Sequence, residues 1–291
     1  MSIYITTEET ADVPASLVMP NSAILPMCFT VCGKEFDGKD KKLSPKEFYD
    51  VCRQAKSAQD LPTTSMINSY EAQEFFRPIL QQGNDIIHIG FSEKLSGMFD
   101  QIMIAQKELS KEFPQRKIVV INSKMASFVE GMLFYFTCQK RDSGATFDQI
   151  VAYAEEMKLR VGARFIVDDL KHLYRTGRAS KSQAYFGEKL QIKPILYLNG
   201  NGELIPIAKA MSRRKAIKEM LDMIDEDMLP IEQQSMIAVG HADCEDDAKK
   251  LIEMIKEKYN FQNVILYDVG AVIGSHVGAG MMSVIYQCKS R

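Results

Sequence analysis

Short apolar runs alternate with amphipathic stretches through the first half of the chain. Residues 3–6, 23–31, 85–90 and 117–122 are compact apolar segments that read as strands. Residues 96–109 and 127–140 carry apolar positions at the three-to-four spacing of helices. Ser44-Pro45-Lys46-Glu47 is a capping box with proline at the first helical position, so a helix starts there. Asn68 with Glu71, and Thr146 with Gln149, repeat the same signature ahead of two more helices. This βαβα rhythm predicts a Rossmann-like, mainly parallel sheet with helices on both faces.

The second half has a different texture. Residues 163–167 read as a strand, followed by helical stretches over 169–175 and 180–189. Two apolar runs, 195–198 and 203–208, flank Asn199-Gly200-Asn201-Gly202, a strong hairpin signal. Helix 213–226, strand 236–240, helix 245–258 and strand 264–269 follow. A glycine-rich stretch over 270–280 and a last strand over 281–286 complete the chain. The hairpin implies a mixed sheet, hence a second α/β domain. At 291 residues the chain is long for one core. We place an N-terminal α/β domain over 1–161 and a C-terminal one over 162–291.

Composition narrows the function classes. Apolar residues make up 46% and charged residues 25%, ordinary for a soluble globular protein. The net charge of -2, without clustered Lys and Arg, gives no reason to expect nucleic acid. The N-terminus lacks the regions of a signal peptide. No apolar run approaches the ~18 residues needed to cross a bilayer. Six cysteines without a C-x-x-C pair suggest reduced, packed thiols, a cytoplasmic setting and no metal site. Seventeen methionines and no tryptophan suit a core that adapts to a flexible apolar ligand, though ordinary core filling accounts for them more simply.

Several nucleotide and nucleophile motifs are absent. There is no G-x-x-x-x-G-K-[ST]. Gly278-Ala279-Gly280-Met281-Met282-Ser283 stops short of G-x-G-x-x-G and leads into a strand, where a dinucleotide fingerprint needs a helix. Gly90-Phe91-Ser92-Glu93-Lys94 approaches a nucleophile elbow, but Lys94 stands where the last glycine belongs. A serine esterase using Ser96 or Ser92 with His276 is the alternative reading from another class.

Three segments could converge on an anion. Pro62-Thr63-Thr64-Ser65 sets hydroxyls before a helix. Phe91 to Gly97 follows a buried strand and opens a helix, whose free N–H groups favour negative charge. Arg175-Thr176-Gly177-Arg178 brings guanidinium beside a glycine. Taken singly, each is more often a cap or a turn, and Thr63, Thr64 and Ser96 are expected to cap helices. The stretch 270–280, four glycines around His276, reads by itself as a tight loop carrying a surface histidine.

In sequence order these strings resemble the DegV family, the fatty-acid-binding subunits of bacterial fatty acid kinase, from end to end. The resemblance rests on Thr10-Ala11-Asp12-Val13-Pro14, Leu61-Pro62-Thr63-Thr64-Ser65, Leu95-Ser96-Gly97 and Asn122-Ser123-Lys124-Met125-Ala126-Ser127. It continues through Ile166-Val167-Asp168-Asp169-Leu170, Thr176-Gly177-Arg178-Ala179-Ser180, Ile192-Lys193-Pro194-Ile195-Leu196 and residues 270–280. It implies two α/β domains with an acyl chain buried in the protein, much of it by the C-terminal domain, and the carboxylate near the domain junction. It further implies that Thr63, Thr64, Ser96, Gly97 and His276 hold that carboxylate, and that Arg178 lies at the head group or faces a partner. The partner would be an ATP-dependent kinase that phosphorylates the bound long-chain fatty acid. This chain would carry the acyl phosphate toward phospholipid synthesis without catalysing its formation. No cofactor is implied, and at most transient contact with a membrane. The chain departs from the family pattern at Glu8-Glu9, Met66 and Met98. Two carboxylates after the first strand would repel an anion, so they are expected to point away from the site.

Overall fold

In the computed structural model, which describes residues 2–168, 170–179 and 192–291, strand pairing separates an early parallel sheet from a later mixed one. Strand β1 (Ile3–Glu8) lies between β2 (Ser22–Leu25) and β6 (Asp85–Gly90), and β7 (Ile118–Asn122) pairs beyond β6. All three pairings are parallel. The helices that cover this sheet are α2 (Ser69–Gln81), α3 (Met98–Glu112), α4 (Phe128–Asp142) and α5 (Phe147–Met157).

The second sheet has six strands in the order β10-β9-β8-β13-β11-β12. These are β8 (Val161–Ile166), β9 (Lys193–Leu198), β10 (Leu204–Ala210), β11 (Ile237–His241), β12 (Val264–Asp268) and β13 (Met282–Gln287). Only β11 and β12 run parallel; every other pair is antiparallel. The expected hairpin therefore forms across residues 199–202. The fold is α/β with two domains, as the two rhythms of the sequence indicated.

Alternation along β13 gives the mixed sheet two different faces. Met282, Val284 and Tyr286 join the outer core with helices α7 (Arg213–Asp227) and α8 (Glu245–Tyr259). Met281 and Ile285 point the other way, into a core continuous with the parallel sheet. Helix α4 lies in that interior and touches β1, β6 and β8. It is buried on nearly every side, as an apolar helix enclosed by protein must be. Glu130 is the one carboxylate among its buried positions.

Several expectations are corrected. Residues 23–31 are not one strand: Pro26, which lacks an N–H donor, separates β2 from β3 (Phe29–Val31). Strand β3 pairs with β4 (Lys34–Phe36) and β5 (Thr63–Thr64) in a small antiparallel sheet that no sequence pattern announced. Thr63 and Thr64 therefore do not cap a helix; Asn68 caps α2 through the expected box with Glu71. Helix α3 begins at Met98, and Ser96 accepts its N–H at 3.2 Å. The glycine-rich stretch is not a loop: Ala271–Val277 form helix α9, capped by Gly270 and Gly278. Its Gly274 lies against α1 (Pro45–Cys52), where a Cβ would come within 2.5 Å of the Tyr49 hydroxyl. The helix expected over 180–189 falls outside the described residues.

Candidate functional site

Parallel α/β sheets bind ligands beyond the carboxyl ends of their strands, at the point where strand order reverses. Here that point lies between β1 and β6. Residues just past those ends line a cavity: Thr10 after β1, Met27 after β2, Phe91, Leu95, Ser96 and Met98 after β6, and Ala126 and Ser127 after β7. The inner face of the mixed sheet forms the opposite wall with Ala163, Phe165, Met281 and Ile285. Helix α9 closes one side with Val272, Ile273, His276 and Val277. The space between these walls, open solvent included, is about 930 Å³. Met27, Met66, Met98 and Met281 contribute four flexible thioethers to the wall.

A polar cluster sits at the meeting of β5, α9 and the segment after α6 (Lys171–Arg175). His276 Nε2 and Thr64 Oγ1 are 3.0 Å apart, joining residues 212 positions distant. His276 Nδ1 is buried and has no hydrogen-bond partner among the described residues. Burial, with the charges of Arg178 and then Arg175, pushes the imidazole pKa down to about 4. His276 is therefore neutral near pH 7. With Thr64 donating to Nε2, the proton sits on Nδ1, which becomes an unused donor.

Two arginines bind this corner together. Arg175 donates to the Pro62 carbonyl at 3.0 Å and to the Ser275 carbonyl at 3.4 Å, tying the β5 segment to α9. Arg178 Nε donates to the Leu95 carbonyl at 3.2 Å, and its Nη1 to the Thr176 carbonyl. Burial lowers the Arg178 pKa, and its guanidinium forms no ion pair with a described carboxylate. Among the described residues the corner thus holds hydroxyls, an imidazole and positive charge, and no carboxylate pairs with Arg178.

Of the sequence-derived candidates, Thr64, Ser96, Arg178 and His276 line the same cavity. Thr63 is exposed and Gly97 opens α3 at the surface; neither lines it. Ser92 is buried and donates to the Gly202 carbonyl at 2.8 Å. No hydrogen bond joins His276 to Ser92 or Ser96, so the nucleophile–base pair of an esterase is not formed. Phe165 lines the cavity, Met211 is exposed, and Phe186 lies outside the described residues. Thr10, Ser127, Tyr267 and Ser283 also line it; Thr10 and Ser127 belong to the family strings but are not among the candidates, and Tyr267 and Ser283 carry no signal beyond their strands. Among the described residues no His, Cys, Asp or Glu group could hold a metal, and no helix is long and apolar enough to cross a membrane.

The carboxylates after β1 face away from this cavity. Glu8 is fully buried, 3.1 Å from His88 Nε2, and accepts the Phe91 N–H at 3.2 Å. His88 Nδ1 meets Thr6 Oγ1 at 2.9 Å. Glu130 accepts from Thr7 at 2.9 Å and from Thr10 at 3.3 Å. Burial, then the charge of Glu8, holds the Glu130 carboxyl well above the usual range. Glu9 accepts the Met27 N–H at 2.7 Å and lines a separate cleft. His241 likewise lies elsewhere, 3.5 Å from Asp268.

Residues 2–289 match the family described as "Uncharacterised protein, DegV family". A DegV domain-containing protein of Clostridium perfringens is 35% identical over 282 residues, covering 96% of this chain and 95% of the relative. Protein DegV of Bacillus subtilis is 30% identical over 293 residues, covering 99% and 100%. The crystal structure of DegV from Bacillus subtilis, described as a fatty acid binding protein, superposes with a TM-score of 0.81 at 29% identity, over 99% of this chain and 100% of that one. A Thermotoga maritima protein whose structure is described as revealing a fatty acid binding function gives 0.82 at 25% identity, over 99% of each chain.

Proposed function

The chain belongs to the DegV family, and on that premise we propose that it carries a long-chain fatty acid. The acyl chain fills the cavity between the two sheets, and the carboxylate rests at Ser96, Arg178 and His276, with Thr64 orienting the imidazole. The observation that carries this reading is the buried Nδ1 of His276, without a partner among the described residues, near an arginine that pairs with no described carboxylate, in the wall of a mainly apolar cavity. A buried charge needs partners, and a carboxylate supplies what each of these groups lacks.

The energetics agree with such a division. Burying an alkyl chain stabilises by roughly 0.8 kcal/mol per CH₂. A sixteen-carbon chain then contributes on the order of 12 kcal/mol before association and ordering costs. The tail supplies the affinity, and the polar corner orients the head group.

In its finer form the proposal includes a partner. An ATP-dependent fatty acid kinase phosphorylates the bound acid in the cytoplasm, where ATP is available. This chain presents the carboxylate and carries the acyl phosphate toward phospholipid synthesis, with no catalytic group of its own. The exposed Thr63 and Gly97, beside the corner, face that partner. Organic extraction of the purified protein followed by mass spectrometry should yield long-chain fatty acid at about one per chain; an empty pocket would sink the reading. His276→Ala should stay loaded yet support slower acyl phosphate formation by the kinase. Complete loss of lipid from that variant would contradict the head-group assignment.

A further inference from the structure

The cavity wall carries a second polar group, assembled from segments other than those of the Thr64–His276 corner. Ser127 ahead of α4, Tyr267 on β12 and Ser283 on β13 all line the cavity. They are 7%, 3% and 3% exposed. Ser127 Oγ donates to Asp12 Oδ2 at 2.6 Å. The Tyr267 hydroxyl lies 3.2 Å from Ser127 Oγ and 3.0 Å from Ser283 Oγ. Asp12 Oδ1 accepts the Gly270 N–H at 2.9 Å, which fixes the carboxylate.

Each hydroxyl has a single hydrogen, so with Asp12 ionised the direction of the chain is forced. Ser127 gives its hydrogen to Asp12, so Tyr267 must donate to Ser127, and Ser283 must donate to Tyr267. Every hydrogen is then used. The Ser283 oxygen keeps its acceptor sites, and no described group donates to it. Its neighbours on the same face, Met281 and Ile285, are apolar, as is Phe165 across on β8. On β11 the residue opposite is Gly240, where a Cβ would come within 2.6 Å of Ser283 Oγ and closer still to the Tyr267 hydroxyl. The sheet thus leaves room for this hydroxyl pair in an otherwise apolar face. Burying three hydroxyls and a carboxylate there costs free energy that Phe and Ala would not.

We propose that this group is a specificity site for an oxygenated acyl chain: the Ser283 oxygen accepts a hydrogen bond from a hydroxyl borne along the fatty acid tail. The inference rests on the lipid-pocket reading above. It also discriminates within that class. A ketone at the same carbon offers only an acceptor, and the Ser283–Tyr267–Ser127–Asp12 chain has no free hydrogen for it.

The test compares dissociation constants of stearate, stearates carrying one hydroxyl at successive mid-chain carbons, and the matching ketones. Measurements at pH 8 keep Asp12 ionised, since burial pushes its pKa up to about 7. At the best position the alcohol should bind at least as tightly as stearate, and the ketone about tenfold more weakly, the size of one buried hydrogen bond. Ser283→Ala should lower the alcohol-to-stearate affinity ratio about tenfold. Tyr267→Phe frees the Ser283 hydrogen, so ketone affinity should rise relative to alcohol, a sign change that a merely destabilised fold would not produce. The inference is overturned if every alcohol binds about tenfold more weakly than stearate, if ketones match alcohols, or if neither variant moves its ratio. Failure to bind stearate itself would overturn the lipid-pocket reading instead, and this inference with it.

Discussion

His88 and His276 each meet a threonine hydroxyl through one ring nitrogen, Thr6 at 2.9 Å and Thr64 at 3.0 Å. Beyond that contact their surroundings are opposite. The second nitrogen of His88 reaches Glu8, and Glu130 lies behind it with Thr7 and Thr10 as donors. The second nitrogen of His276 reaches no described residue, and its charged neighbours are Arg178 and Arg175. One histidine has its carboxylate built into the fold; the other stands among cations in a cavity wall. The difference separates a histidine satisfied within the parallel sheet from one whose second nitrogen meets no described group and would donate to the proposed carboxylate.

The strongest way to break this comparison is to remove each imidazole. His88→Ala leaves Glu8 buried without its partner and should cost about 3–5 kcal/mol, the range for breaking a buried pair. His276→Ala should cost about 1 kcal/mol, since one hydrogen bond is lost at a partly exposed site. Urea denaturation midpoints check both, and equal losses would erase the distinction. An intermediate effect is expected on the ligand side. Arg178→Gln should weaken fatty acid binding by about 2 kcal/mol, roughly thirtyfold, as hydrogen bonds to a charged group are worth. A titration of lipid into delipidated protein would show it, and unchanged affinity would move the head group elsewhere.

A pH-dependent test sharpens the electrostatic half of the contrast. His276 titrates at about 4 in the folded protein, against 6.5 for an ordinary histidine. Its contribution to stability is then fully present above pH 6.5 and is lost as pH falls through 4. His276→Gln should flatten the stability profile of the empty protein in that window. Binding a carboxylate beside the ring should raise its pKa, so loading should be accompanied by proton uptake. An imidazole NMR titration that is identical in empty and loaded protein would contradict a carboxylate at this corner.

Local chemistry made much of the fold legible. The capping boxes at Ser44, Asn68 and Thr146 all form, each at the start of its helix. The Asn-Gly-Asn-Gly turn produced the β9–β10 hairpin. The small sheet of β3, β4 and β5 was not legible, because a two-residue strand has no period to detect. Helix α9 was hidden for a related reason. Glycine disfavours helices by roughly 1 kcal/mol relative to alanine, and seven residues with Gly274 at the centre look like a turn until α1 packs against them.

The candidate site divides along the same line. Thr64, Ser96, Arg178 and His276 were nominated by short strings in family order, and these strings lie at strand ends and helix starts where such residues are common. Ser283 and Tyr267 could not be nominated: each is an ordinary residue until Gly240 and the β11–β13 register bring their oxygens together. Sequence alone determined the two α/β rhythms, the capped helices and the set of strings that point to a lipid carrier, because periodicity and capping act over a few residues. Only the tertiary structure decided that Thr64 rather than Thr63 meets His276, that Glu8 is satisfied by His88, and which polar atoms remain without partners. Hydrogen-bond satisfaction is a property of atoms brought within about 3 Å, and here those atoms come from residues as far as 212 positions apart.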